Sequence, residues 1–216
     1  MPRHADADAR REQLASAALD IALTQGLDRV SVPRIAAQAG VSVGLVQHYF
    51  PAKAALVVTA YETLAARVDA RIGAIVEVGE AQRGSIRAMV AAGLEQLLPL
   101  DADRLAETQV RAEFAARALR DEALAVVARD LRRVLLHRVA AAIENGHECG
   151  ESAAGLVGPA AASAAQELLA LSEGLAGALL LHSGRPHPAD EDETSVLRYA
   201  CERVFPGQCR RARTGS

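Results

Sequence analysis

The chain has 216 residues, half of them hydrophobic but only 3% aromatic and none tryptophan, and its formal net charge at pH 7 is −3. A chain of this length buries a substantial core as one or two domains, and its charge excludes a globally basic coat while leaving room for positive charge gathered on one face. The three cysteines, Cys149, Cys201 and Cys209, have neither the density of a secreted disulfide scaffold nor paired metal spacing, so they read as reduced thiols.

Residues Met1 to Asp8 are small and charged and are expected to be disordered. From about Ala9 to Gln25, Leu14, Ala18, Ile21 and Ala22 recur at helical spacing, and Gly26 ends the helix. Arg3, Arg10 and Arg11 lie near its start, either as an arm for phosphate or minor groove or as a solvated end. The N-terminus lacks an apolar leader core, which predicts a cytoplasmic protein.

The most informative stretch is Ser31 to Lys53, SVPRIAAQAGVSVGLVQHYFPAK. Ser31 is placed to cap a helix whose first turn tolerates Pro33, because the earliest N–H groups of a helix have no internal partner to lose. Ile35, Ala36 and Ala39 share a face, and Gly40 ends the helix by entering the left-handed region cheaply. After the turn Gly40-Val41-Ser42, Ser42 caps a second helix from about Val43 to Phe50, stopped by Pro51. Val41, Val46 and Phe50 point inward in this reading, and Val43, Gly44, Leu45, Gln47 and His48 face out. So short a helix needs its neighbours to hold it. The pattern is a helix-turn-helix whose second helix can enter a major groove.

Ile35-Ala36, Gly40-Val41-Ser42, Gly44-Leu45, Tyr49-Phe50, Lys53 and Leu56 resemble the DNA-binding signature of the TetR family of transcriptional regulators. The resemblance covers about the first quarter of the chain; the remainder is similar in being helical and of suitable length. It implies an operator of double-stranded DNA, a homodimer, a small-molecule effector and no cofactor. The DNA-contact positions it implies are Ser31, Val32, Ser42, Val43, Gly44, Leu45, Gln47, His48, Tyr49 and Lys53. Gln47 can offer paired hydrogen bonds to an adenine edge, and Leu45 or Val43 can meet a thymine methyl. Gly44 allows close backbone approach, while His48 and Tyr49 suit phosphate oxygens. Many relatives carry an aromatic residue where Gln47 stands, so the amide could read a base instead of touching phosphate. A solvent-facing histidine without a role is the alternative for His48. Lys53, the only lysine, takes a phosphate contact by resemblance or is an ordinary solvated side chain. Two copies would place their reading helices about 34–36 Å apart on a near-palindromic site.

Pro51 opens a long helix, roughly Ala52 to Glu77, with Leu56, Val57, Ala60, Leu64, Val68 and Ile72 inward; it is the natural mechanical connection between the helix-turn-helix and the helices after it. Gly79 to Gly84 breaks the pattern. Further helices are expected at about Ser85 to Leu98, Ala102 to Arg117 and Asp121 to Asn145, the last ended by Asn145-Gly146. After the Gly155 to Pro159 loop, Ala160 to His182 is the most apolar helix. As a membrane span it would strand Gln166, Glu167 and Glu173 in lipid, so a buried helix at a protein interface suits it better and no membrane partner is expected. After a polar loop from Pro186 to Glu193, a last helix runs from about Glu193 to Val204. Ala164, Leu168, Leu171, Leu175, Leu179, Val196, Leu197 and Ala200 are the candidate dimer interface, a four-helix bundle made by two copies, with a monomeric core as the other reading. The tail with Arg210, Arg211 and Arg213 is expected to be disordered.

The expected fold is therefore all-α: a helix-turn-helix domain over residues 1–52, a helical effector-binding and dimerisation domain over 53–205, and a tail over 206–216. A pocket, implied by the resemblance, would draw on polar residues of otherwise apolar faces: Arg111, Phe114, His137, Gln166, Leu169, Ser172 and Glu173. Aromatics are too scarce here to build a cage for a quaternary ammonium ion, which favours an apolar or amphipathic effector. Two other classes compete. An enzyme would need a phosphate loop after a strand, a nucleophile elbow or a metal cluster, and only His147-Glu148-Cys149 offers even a fragment of one. A helical adaptor would bury Gln47 and His48 in packing, whereas reading DNA requires them open.

Overall fold

The computed structural model describes residues 2–183 and 191–208, with side chains placed over 7–181 and 194–208. Among them are nine helices and no strand: α1 (Pro2–Gln25), α2 (Val32–Ala39), α3 (Val43–Tyr49), α4 (Lys53–Ala81), α5 (Ile86–Glu95), α6 (Ala102–Ala118), α7 (Glu122–Cys149), α8 (Pro159–Ser183) and α9 (Glu191–Val204), with a 3-10 turn at Leu27–Arg29. They form two compact units, residues 1–67 with 109–128 and residues 68–108 with 129–216. The division falls within α4, α6 and α7 rather than between residues 52 and 53.

In the first unit, Leu14, Ala18, Ile21 and Ala22 of α1 are buried together with Ile35, Ala36, Val46 and Phe50, and with Leu56, Val57, Ala60 and Leu64 of α4. At about 1.5–3 kcal/mol for each large side chain fully removed from water, this shared core is what holds the short α2 and α3 in place. The α6 segment joins it through Phe114, which is fully buried and stacks on Tyr61 with ring centroids 3.8 Å apart. Glu113 accepts a hydrogen bond from the Leu27 backbone N–H at 2.8 Å, tying the 3-10 turn to α6. The expected disorder before Ala9 is not found. The α1 backbone is helical from Pro2, because a run with alanine at positions 5 and 7 and no internal glycine or proline lets an already nucleated helix propagate outward.

In the second unit α5 packs against α8 and α9. Leu94, Leu98, Ile143, Leu168, Leu169, Leu197, Cys201 and Phe205 are its interior. Glu151, only 1% exposed, closes the start of α5: its carboxylate accepts from the Ile86 and Arg87 backbone N–H groups at 3.0 and 2.9 Å and from the Ser85 hydroxyl. Arg71 meets the buried Glu107 through two N–H···O contacts of 2.7 and 2.6 Å, joining α4 to α6 within this unit. Cys149 and Cys201 are both buried; burial, with Glu95 nearby, pushes the Cys201 thiol up to about 12.

Two glycines expected to end helices instead lie inside them. Gly79 is within α4, where a Cβ would come 2.3 Å from Met89 Sδ, and the chain turns only at Gln82 to Gly84, with Arg83 at φ 53. Gly146 is within α7, where a Cβ would come 2.8 Å from Phe205 Cε1; the helix stops at Gly150, φ 85. Both are packing sites for a side chain from another helix or its flank. His147, Glu148 and Cys149 accordingly form the last turn of α7 rather than a loop, and no group of three metal-binding side chains occurs among the described residues.

The expected tail begins in an ordered way. Phe205 is fully buried and the Gly207 N–H donates to the Glu151 carbonyl at 2.9 Å; Cys209, Arg210, Arg211 and Arg213 lie outside the described residues, as does most of the Pro186 to Glu193 loop. By length and composition Pro159–Leu181 of α8 is apolar enough to cross a membrane, yet its inner face packs within the unit and its Glu173 pairs with Arg132 at 2.8 Å. Of the candidate dimer residues, Ala164, Leu168, Leu179 and Leu197 are buried inside a single chain, Leu171, Leu175 and Ala200 are half-buried, and Val196 is 51% exposed. Within the leucine stripe, Leu168 and Leu179 are thus covered by their own chain, while Leu171 and Leu175 keep part of their surface open.

Candidate nucleic-acid interface and ligand cavity

The turn between α2 and α3 is built as its residues require. Gly40 sits at φ 67, ψ 35, and the Val41 N–H reaches back to the Ala36 carbonyl at 3.0 Å. Ser42 caps α3 with its hydroxyl accepting from the Leu45 N–H at 3.2 Å. Ser31 occupies the cap position of α2 in extended geometry, but its side chain makes no capping bond; its carbonyl accepts from the Ile35 N–H at 2.9 Å. The Gln13 amide of α1 donates to the Ala39 carbonyl at 2.9 Å, bracing the end of α2.

This frame fixes which way α3 faces. Val46 and Phe50 are buried at 0% and 4% exposure, while Val43, Gly44, Gln47 and His48 are exposed. Leu45 and Tyr49 are half-buried at the edges of the open face, Val41 is half-buried rather than interior, and Ser31 and Val32 are half-buried at the start of α2. Lys53 is exposed as the first residue of α4, and a Cβ on Gly44 would meet nothing within 4 Å, so nothing among the described residues covers the middle of α3. From Arg29 to Ala60 the sequence carries no aspartate or glutamate, against Arg29, Arg34 and Lys53. The chain's net negative charge therefore lies outside this stretch of the sequence.

The second unit contains a cavity of about 870 Å³ between α4, α5 and α7, with Leu169 of α8. That volume falls within the range of small-molecule sites. Val90, Leu94, Leu97 and Leu169 form its buried wall, Met89 and Leu135 its flexible apolar flank, and Glu80, Arg83, Asn145 and Glu148 its exposed polar rim. Arg138 also lines it and is paired with Asp69.

Of the seven residues expected at an effector pocket, only Leu169 lines this cavity. Ser172 is fully buried one turn further along and donates to the Leu94 carbonyl at 3.3 Å, which supports the wall from behind. Gln166 and Glu173 are exposed and both engaged by Arg132, and His137 is exposed. Arg111 and Phe114 belong to the first unit. Polar residues on apolar helix faces are poor markers here because the apolar faces themselves make the cavity. The usable signal was the repeat of Ile72 and Val76 on α4 and of Leu135, Val139 and Ala142 on α7, at helical spacing and pointing at α5.

An open, acid-free helix-turn-helix carried with a helical unit that holds a ligand-sized cavity defines the helix-turn-helix class of transcriptional regulators. Residues 14–60 match the family model for bacterial regulatory proteins of the tetR family, and residues 86–206 match that for the C-terminal part of BetI-type transcriptional repressors. The HTH-type transcriptional regulator PksA of Bacillus subtilis (strain 168) is 35% identical over 72 residues, 33% of this chain; the match spans about a third (35%) of that regulator's length. A transcriptional regulator from Rhodococcus sp. Rha1 is 30% identical, with 90% of this chain and 95% of that one covered and a TM-score of 0.71. A regulator from Saccharomonospora viridis solved in complex with choline shares the fold at 18% identity, with a TM-score of 0.71 over 92% of this chain and 98% of that one. The chain belongs to the TetR family of transcriptional regulators.

Proposed function

We propose that the protein binds operator DNA as a homodimer, with α3 of each copy in the major groove, and leaves the operator when a small apolar or amphipathic molecule occupies the cavity of the second unit. In this reading it is a cytoplasmic repressor that acts while bound to the operator, and it catalyses no reaction. The observation that carries this reading is the outward face of Val43, Gly44, Gln47 and His48, held open by buried Val46 and Phe50 in a stretch free of acidic residues. An adaptor using the motif for packing would have covered Gln47 and His48.

Pairing of two copies is assigned to the faces of α8 and α9 that the protomer leaves open. On α8 these carry Ala170, Gly174, Ala178 and the 90% exposed Leu181; on α9 they carry Val196 and the 64% exposed Tyr199. A Cβ at Gly174 or Gly177 would meet nothing within 4 Å, so a second helix can approach this face closely. An effector weakens DNA binding only to the extent that it prefers the DNA-incompetent arrangement, a coupling typically of about 5–150-fold.

The test is a gel-shift titration across salt. Gln47→Ala should change preference at one base position by about 1–3 kcal/mol, whereas Lys53→Ala should weaken binding to all sequences and flatten the salt dependence. Unchanged profiles for both variants would refute the placement of α3.

A further inference from the structure

We propose that Arg11, on α1, is a phosphate-binding residue of the reading head, aimed by the aromatic pair at the end of α3. The proposal rests on the operator-binding reading above and adds to it a contact from a different helix. The Arg11 guanidinium carbon lies 5.8 Å from the centroid of the Tyr49 ring and 5.8 Å from that of Phe50. Neither ring is free to drift: Phe50 is 4% exposed in the core of the head, and His48 meets Tyr49 edge-on with centroids 5.3 Å apart. The α1 helix is equally fixed at this point, since Gln13 accepts from Arg10 at 2.6 Å and donates to Ala39, and Leu14 is fully buried. Arg11 is therefore an exposed cation held at one place, beside the C-terminal end of α3.

That place has three physical consequences. A guanidinium 5.8 Å from two ring centroids is within cation–π range of both and keeps N–H donors for oxygen atoms, of which a phosphate accepts two at once. Ring contact also fixes the side chain before DNA arrives, so less rotamer freedom is lost on binding. Finally, the carbonyl end of α3 carries partial negative charge that would repel a phosphate, and a cation there cancels it. Lys53, three residues after Phe50, brings a second cation to the same stretch of chain. Arg11 and Lys53 would thus hold the backbone on which Gln47 reads.

The test compares Arg11→Met, which keeps an apolar stem and loses the charge, with Arg11→Lys, which keeps the charge and loses the planar fork of donors. Fluorescence anisotropy of the full chain on a mixed-sequence duplex and on its footprinted site, across salt, should show the Met variant weakened by the same factor on both DNAs. Its slope of log affinity against log salt should be shallower by about one, the share of a single phosphate. The Lys variant should keep the slope with reduced affinity. In a scan of neutral methylphosphonate linkages, one position should weaken the wild type while leaving Arg11→Met indifferent. An unchanged slope in Arg11→Met, together with a lowered melting temperature of the free protein, would make Arg11 a prop for the rings and overturn the proposal. If the wild type itself shows no salt-dependent binding, the operator reading fails and this inference with it.

Discussion

Glu151 offers the sharpest quantitative check on how the ligand unit is held together. Its carboxylate is almost completely buried and faces three donors at the start of α5, the Ser85 hydroxyl and the Ile86 and Arg87 N–H groups. Glu151→Gln preserves the volume but turns one acceptor into a donor that points at donors. At least one bond is lost, and the others lose their charge assistance. Hydrogen bonds to charged groups contribute about 1.5–3 kcal/mol net, and an anion at a helix start about 0.3–1 kcal/mol more, so the loss should be about 3 kcal/mol. For a chain of this length each kcal/mol moves Tm by roughly 2–4 °C, giving a fall of about 6–12 °C in a circular-dichroism melt. Glu148→Gln, exposed one turn earlier on α7, serves as the control and should shift Tm by less than about 2 °C. A Glu151→Gln variant melting within about 2 °C of the wild type would show that this buried carboxylate is not what anchors α5.

Gly146→Ala separates a packing glycine from a helix-ending one: with Phe205 Cε1 2.8 Å from the new Cβ, overpacking should cost about 1–3 kcal/mol in denaturant melts, whereas a helix position without a neighbour would gain about 1 kcal/mol. Cys201, its thiol raised to about 12 by burial, should resist iodoacetamide in the native protein at pH 8.5 and react once guanidinium unfolds it; rapid native labelling would contradict its burial. Because an unfolded thiol ionises near 9.0 and the native one near 12, the unfolded chain sheds this proton first, so the group should lower stability as pH rises from about 9 to 12 and have no effect below. Leu94→Trp, placed in the cavity wall, should narrow the space and weaken effector release while leaving operator affinity within about threefold in anisotropy titrations; unchanged release would locate the effector elsewhere.

The reading head was legible because its determinants are local. Gly40 needs only its own φ to stop α2, Ser42 needs only the N–H three residues on, and Val46 and Phe50 are four apart on one face. The second unit was legible in its helices but not in its contacts. Gly79 and Gly146 look like stops until Met89 and Phe205, ten and 59 positions away, are seen to occupy the space a methyl group would need. The apolar stripe of α8 states that a face is buried, not by what; Leu168 and Leu179 are covered within their own chain. The partner of Gln166 and Glu173, Arg132, lies 34 and 41 positions away, out of reach of any local pattern. Exposure of Gln47, by contrast, followed from helical phase alone.

The central claim is that two copies of α3 read one duplex, and footprinting genomic DNA with the purified protein tests it most directly. A near-palindromic site should be protected in two patches about one helical turn, 34–36 Å, apart on one face of the duplex, with Gln47→Ala altering protection symmetrically in both halves. Protection of a single half-site, or of no site at concentrations where non-specific binding is saturated, would contradict it.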